Sequence, residues 1–156
     1  MIIYKYLCIF TLLILLGPAC FTARADAPDV TSDGTLTINI KGIQTDQAGQ
    51  LILYIYQGED NWLESERASH SQILNVDQND SLSATFTDVP MNQDLAIQII
   101  HDQNRNAKLD FQWFPPKPEE GVGVSNNRFR MGPPDYNDAK IILHEQTKTI
   151  QIEMHY

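Results

Sequence analysis

Beyond Gly34 the apolar positions of the chain recur with a period close to 2, which predicts β-strands, because successive strand side chains point to opposite faces. Residues 35–40 alternate cleanly, and residues 50–56 form a β-branched and aromatic run that suits a strand buried on both faces. Further strands are predicted at 69–76, 81–86, 95–101, 139–143 and 149–154, separated by turn-rich segments at 46–49, 77–80 and 89–92. About seven short strands of this kind predict an all-β fold, an antiparallel two-sheet β-sandwich of immunoglobulin-like or prealbumin-like type. Two segments break the pattern. Residues 59–67 set Trp62 and Leu63 among charges and read as a turn or two of helix, or as an excursion between strands. Residues 102–138 hold Pro115, Pro116, Pro118, Pro133 and Pro134 and little strand signal. They also hold Phe111, Trp113, Phe114, Val122, Val124, Phe129, Met131 and Tyr136, too many large apolar groups for a disordered segment. An ordered loop packed on the end of the sandwich is expected there.

The first residues predict a destination. Lys5 makes a positive start, residues 7–16 are almost unbroken apolar, and Ala23-Arg24-Ala25 places small residues at a cleavage site, so residues 1–25 read as a secretory signal. The apolar run is well short of the ~20 residues that span a bilayer, so no membrane span is expected once the signal is removed. A secreted or periplasmic location follows. Cys20 allows a lipidated start, but Gly17-Pro18-Ala19 lacks the aliphatic residue such a site usually carries three positions before its Cys. Residues 26–34 are polar and aperiodic and read as a disordered leader, leaving 35–156 as one sandwich domain.

Charge narrows the partners. The formal net charge is −9, and losing Lys5 and Arg24 with the signal would make it −11, since all 20 acidic residues follow residue 25. Such an acidic chain excludes nucleic acid and anionic membrane surfaces as partners, while cations and an extracellular or envelope ligand stay open. Both cysteines, Cys8 and Cys20, lie in the expected signal, so the exported domain is disulfide-free.

Candidate chemistry concentrates at 101–110. Asp102, Asn104, Asn106 and Asp110, with the Lys108 carbonyl, put oxygen donors at alternate positions, the scheme of a calcium loop. Ala107 stands where that scheme favours Gly and Trp113 where it favours a bidentate Glu, so a closing carboxylate must come from elsewhere. Glu120 is the first candidate and Asp138 the second. The competing reading is a set of Asx turns with no ion. Zinc fits poorly, since the donors are oxygens and no Cys remains.

These residues also carry a resemblance. The run His101-Asp102-x-Asn104-x-Asn106-x-Lys108-Leu109-Asp110, then Pro118-x-Glu120-Gly121-x-Gly123-x-Ser125-Asn126-Asn127, then Gly132-Pro133-Pro134-x-Tyr136-x-Asp138-Ala139, resembles the bacterial secreted family known as domain of unknown function 2141. The resemblance spans roughly residues 35–156. It implies a small exported β-sandwich with no established activity. Asn-Gly is common in that family where this chain has Asn106-Ala107, and aromatics where it has Val122 and Val124.

Other chemistries fit these residues less well. A hydrolase could centre on His101, Asp102 and Glu120, but adjacent strand residues face opposite ways, and Ser125 lacks the Gly-x-Ser-x-Gly setting of a nucleophile elbow. No enzyme is expected. Gly121-x-Gly123 lacks the third Gly and the helix of a nucleotide loop, and reads as backbone freedom. Trp62, Trp113, Phe114 and Tyr136 could form an aromatic platform for a carbohydrate or peptide, or could simply lid the core. The sequence thus predicts an exported binding or structural module whose 102–138 loop is organised by a calcium-type cation.

Overall fold

A computed structural model describes residues 32–76, 78–113, 116–127 and 132–156, without the side chains of Phe111, Trp113, Pro116, Lys117 and Asn127. The expected signal and the leader up to residue 31 lie outside the described residues, as do Phe114, Phe129 and Met131.

Among the described residues ten strands form in chain order: β1 (Asp33–Lys41), β2 (Gln50–Gln57), β3 (His70–Asn75), β4 (Ser81–Pro90), β5 (Asp94–Asp102), β6 (Phe111–Trp113), β7 (Pro116–Pro118), β8 (Gly121–Val124), β9 (Ile141–Ile142) and β10 (Thr147–Glu153). One sheet has the order β10-β1-β4 and the other β3-β2-β5-β8, with β9 also on β5; β6 and β7 make a separate two-stranded sheet. This is an all-β two-sheet sandwich, with one departure from the expectation. β1 and β10 pair in parallel, from Thr35 with Thr147 to Lys41 with Glu153. Parallel neighbours need a long crossover, and these two strands have nearly the whole domain between them.

Alternation explains the core. Leu36, Ile38 and Ile40 of β1, Ala84 and Phe86 of β4 and Ile152 of β10 face Leu51, Leu53 and Ile55 of β2 and Leu95, Ile97 and Ile99 of β5 in one buried cluster. Their neighbours Thr35, Thr37 and Asn39 point outward with Ser83, Thr85, Thr149 and Gln151. A second, smaller cluster lies on the outer face of the five-stranded sheet. Ala96, Val122, Val124, Tyr136 and Ala139 bury one another there, with Trp62 and Leu109 packed against them. The strongly apolar β2 and β5 are explained by this double covering: their inner residues fill the sandwich and their outer ones meet the excursions.

Residues 59–67 form two short 3₁₀ turns, Glu59–Asn61 and Ser65–Arg67, with Trp62 and Leu63 between them. The described residues of the long excursion include three parts: the loop 103–110, the paired strands β6 and β7 with β8, and a single-turn helix α1 (Tyr136–Ala139) whose N-cap Asp135 accepts the Asn137 N–H. Among the described residues no helix is long and apolar enough to cross a membrane.

Candidate functional site

β5 delivers His101 and Asp102 to the end of the sheet. Leu95, Ile97 and Ile99 occupy its inward positions, so His101 points between the sheets and Asp102 outward, beneath the loop that follows. Asp102 is fully buried. A buried carboxylate must be paired, and this one is: it accepts hydrogen bonds from Gln50 Nε2 (2.9 Å) and from the backbone N–H groups of Asn106 (3.0 Å) and Ala107 (2.9 Å). Gln50 is its register neighbour on β2.

The other spaced residues converge on it and on one another. Asn104 Oδ1 accepts the same Asn106 N–H that Asp102 accepts (3.0 Å each), and Asn106 Oδ1 accepts the Lys108 N–H at 2.7 Å. The Asp110 carboxylate receives the Asn104 amide at 2.5 Å and the Asn106 amide at 3.0 and 3.2 Å. Arg105 (φ 59°) and Ala107 (φ 59°) both adopt left-handed backbone, so the turn that Gly would make freely is made here by Ala. Arg105 then reaches back to the Gly49 carbonyl (3.1 Å) and Asn75 Oδ1 (3.3 Å), which pins the loop to the ends of β2 and β3.

Glu120 closes the loop from the far side. It is buried, and its two oxygens accept the N–H groups of Gln103 (2.9 Å) and Asp110 (3.2 Å), while Glu119 N–H donates to the Asp110 carbonyl at 3.0 Å. It therefore folds back where the spacing asked for a closing carboxylate, but it grips backbone at both ends of the loop. Asp138, the second candidate, sits on α1. The α1 segment packs at the opposite end of β5, where Tyr136 Oη donates to the Asp94 carbonyl (2.9 Å) and Lys140 pairs with Asp94 (3.2 Å). Asp94 and Asp102 are eight residue steps apart along β5, about 26 Å at ordinary strand rise, so Asp138 is remote from the loop.

Among the described residues no group of three or more His, Cys, Asp or Glu is arranged to hold a metal ion. Any cation in the loop would depend on the Asn oxygens and backbone carbonyls that a hard ion accepts.

His101 is buried, and among the described residues its side chain makes one hydrogen bond, between Nδ1 and the Tyr156 hydroxyl (2.9 Å), which in turn accepts the Gln44 N–H at 2.9 Å. The rings of His101 and Tyr156 meet edge to face, 5.8 Å between centroids. His101 Nε2 is buried and has no hydrogen-bond partner among the described residues. Burial holds the imidazole below its ordinary pKa, and the Asp102 charge offsets part of that. No hydrogen bond among the described residues joins His101 to Asp102 or Glu120; His101 meets Tyr156, Asp102 meets Gln50 and the loop, and Glu120 meets Gln103 and Asp110.

The remaining motif residues hold backbone. Ser125 is fully buried, accepting the Ile97 N–H (3.0 Å) and donating to the Ala139 carbonyl (2.5 Å). The Asn126 amide donates to the carbonyls of Asp138 (3.3 Å) and Lys140 (2.9 Å), and its own left-handed backbone (φ 62°) turns the chain after β8. Gly121 and Gly123 do not use positive φ, against the sequence expectation. Close approach is the reason: a Cβ on Gly121 would lie 2.3 Å from the Tyr156 ring, and one on Gly123 would lie 2.9 Å from Ile152 and Met154 side-chain atoms.

Of the four aromatics, Trp62 and Tyr136 pack together (centroids 5.9 Å), Trp62 meets Tyr56 edge to face (5.3 Å), and Tyr136 is buried. Trp62 Nε1 donates to the Pro134 carbonyl at 2.7 Å. These two serve as a lid over the outer cluster; the Trp113 side chain and Phe114 are outside the described residues.

Residues that matter here and carried no local signal are Gln50, Gly49 and Tyr156, each brought in by strand pairing from a distant part of the chain. A family model described as an uncharacterized protein conserved in bacteria (DUF2141) matches residues 38–151, well over half the chain. No curated protein and no solved structure matches it.

Proposed function

Since the chain belongs to the DUF2141 family of uncharacterized bacterial proteins, we propose from its own residues that it is an exported β-sandwich module whose 102–110 loop binds a calcium-type cation. One observation carries the reading: side chains at four alternate positions, Asp102, Asn104, Asn106 and Asp110, hydrogen-bond within a single turn of chain around Asn106. Calcium would take the Asp102 and Asp110 carboxylates, the Asn104 and Asn106 side-chain oxygens and the Lys108 carbonyl, with water completing its shell of six to eight oxygens. To ligate, the two amides that now donate to Asp110 must turn their oxygens inward. Glu120 then acts on the loop backbone, holding both ends in place whether or not the ion is present.

Export rests on Lys5, the apolar run 7–16 and Ala23-Arg24-Ala25. Extracellular modules commonly bind calcium with dissociation constants of about 0.1–1 mM. At ~10 mM calcium this adds roughly 1.5–3 kcal/mol of stability, or about 3–10 °C in Tm. A thermal melt with and without calcium, with magnesium as control, tests the reading. A shift of that size for calcium that Asp110→Ala abolishes supports it; no shift at millimolar calcium sinks it.

A further inference from the structure

We propose that the chain associates with a second copy of itself through the free edge of β3, the two strands running antiparallel with Ile73 opposite Ile73. This inference is independent of the cation. A sheet edge exposes unpaired N–H and C=O groups, and proteins usually guard it with charge, proline, a bulge or a covering segment. Three edges here are guarded. β8 is covered at its outer side by the C-terminal residues, Val122 and His155 exchanging N–H to carbonyl bonds of 2.8 and 2.9 Å. β4 carries a left-handed Asp88 (φ 59°), a register shift against β1 and a terminal Pro90. β10 carries Lys148 and Glu153.

β3 carries none of these within its own sequence; the nearest charge is Arg105, bonded to Asn75 Oδ1 at its last residue. Its sequence, His-Ser-Gln-Ile-Leu-Asn, holds no proline, no glycine and no Lys, Arg, Asp or Glu, and among the described strands it pairs with β2 alone. Its backbone directions follow from the register. Val76 N–H donates to the Gly49 carbonyl, and alternation from that bonded pair turns Leu74, Gln72 and His70 toward β2. The N–H and C=O groups of Ser71, Ile73 and Asn75 therefore face the open edge.

Side chains point the same way. Register aligns Val122, Ile100, Ile52 and Ile73 in one row across the outer face of four strands. The first three are 6%, 6% and 2% exposed, whereas Ile73 is 57% exposed. The row ends on an uncovered isoleucine.

A two-fold axis through Ile73 resolves both features. It places Ser71 of one copy against Asn75 of its partner and Ile73 against Ile73, so every outward-facing backbone pair meets another. The apolar row then continues into the second molecule. The copies meet on a strip whose own side chains carry no charge, with Arg105 bonded to Asn75 at one end, on a molecule whose formal charge is −9, so salt should strengthen association by screening the remainder. Six residues per copy are far fewer than the about 20–30 of a standard interface, so the dimer is weak, with dissociation in the micromolar range or above.

Sedimentation velocity on the purified protein, from low micromolar to millimolar concentration, tests this. A monomer–dimer equilibrium shifted toward dimer by salt is expected. Ser71→Pro removes one outward N–H from an edge strand that tolerates proline, and Ile73→Lys sets two charges face to face. Each should raise the dissociation constant at least about tenfold without loss of the folded monomer's thermal transition. With Cys8 and Cys20 replaced by Ser, Ile73→Cys should cross-link under oxidation and Gln72→Cys, which faces inward, should not. A monomer at every concentration overturns the proposal. So does a dimer that Ile73→Lys leaves intact, or a monomer that instead captures an extended peptide at this edge.

Discussion

Replacing Glu120 by Ala removes the carboxylate that holds the two ends of the 103–110 loop. Its oxygens accept the N–H groups of Gln103 at 2.9 Å and Asp110 at 3.2 Å, and the side chain is almost fully buried. A hydrogen bond to a charged acceptor contributes about 1.5–3 kcal/mol, so the loss of two predicts ~3–5 kcal/mol of destabilisation, allowing for the longer second bond. Glu120→Gln keeps one acceptor oxygen and turns an NH₂ toward the other N–H. It should cost roughly half as much. Urea unfolding followed by tryptophan fluorescence in calcium-free buffer measures both, with the m-value expected to stay constant because the buried surface is little changed. A loss below about 1 kcal/mol for Glu120→Ala would refute the reasoning, since it would mean water satisfies those N–H groups as well as the carboxylate does.

Ala107 sits at φ 59°, a region costly to any residue with a Cβ, so Ala107→Gly should stabilise the protein by up to about 1 kcal/mol, read as a higher urea midpoint. Gly121→Ala drives a Cβ to 2.3 Å from the Tyr156 ring and should cost about 1–3 kcal/mol; in a Tyr156→Ala background most of that penalty should vanish. His101 titrates below its ordinary value because it is buried, with the Asp102 charge partly opposing. The unfolded chain therefore takes up this proton first: the stability is full above about pH 6.5 and declines as pH falls from there toward the folded value. Unfolding midpoints between pH 8 and pH 6 should show that slope in the native chain and lack it in His101→Phe.

Strand positions were legible where side chains alternate on a half-buried surface, as in Thr35 to Ile40, or where the run is apolar on both faces, as in β2. β8 escaped because Gly-Val-Gly-Val has no side chain at alternate positions to reveal its polarity. The reason for its glycines lies some thirty residues away, at Ile152, Met154 and Tyr156. α1 escaped because a four-residue helix held by Asp135, Ser125 and Asn126 has no periodicity to read. The loop was the clearest feature in the sequence, since spacing by two brings Asp102, Asn104 and Asn106 around one N–H. Glu120 was reachable as the buried acid that the spacing lacked; its grip on the backbone of Gln103 and Asp110 was not, because sequence distance does not say which atoms a carboxylate meets. Gln50 and Tyr156 reach the site through β2 and the C-terminal bridge, and only the register supplies them.

A crystal structure of the purified protein grown in millimolar calcium tests the cation reading most directly. One ion is expected, with side-chain oxygens of Asp102, Asn104, Asn106 and Asp110 and the Lys108 carbonyl at about 2.3–2.6 Å. The Asn104 and Asn106 amides would be turned away from Asp110 and Glu120 left on its two N–H groups. No ion in the loop, with both asparagine amides still donating to Asp110, would contradict it.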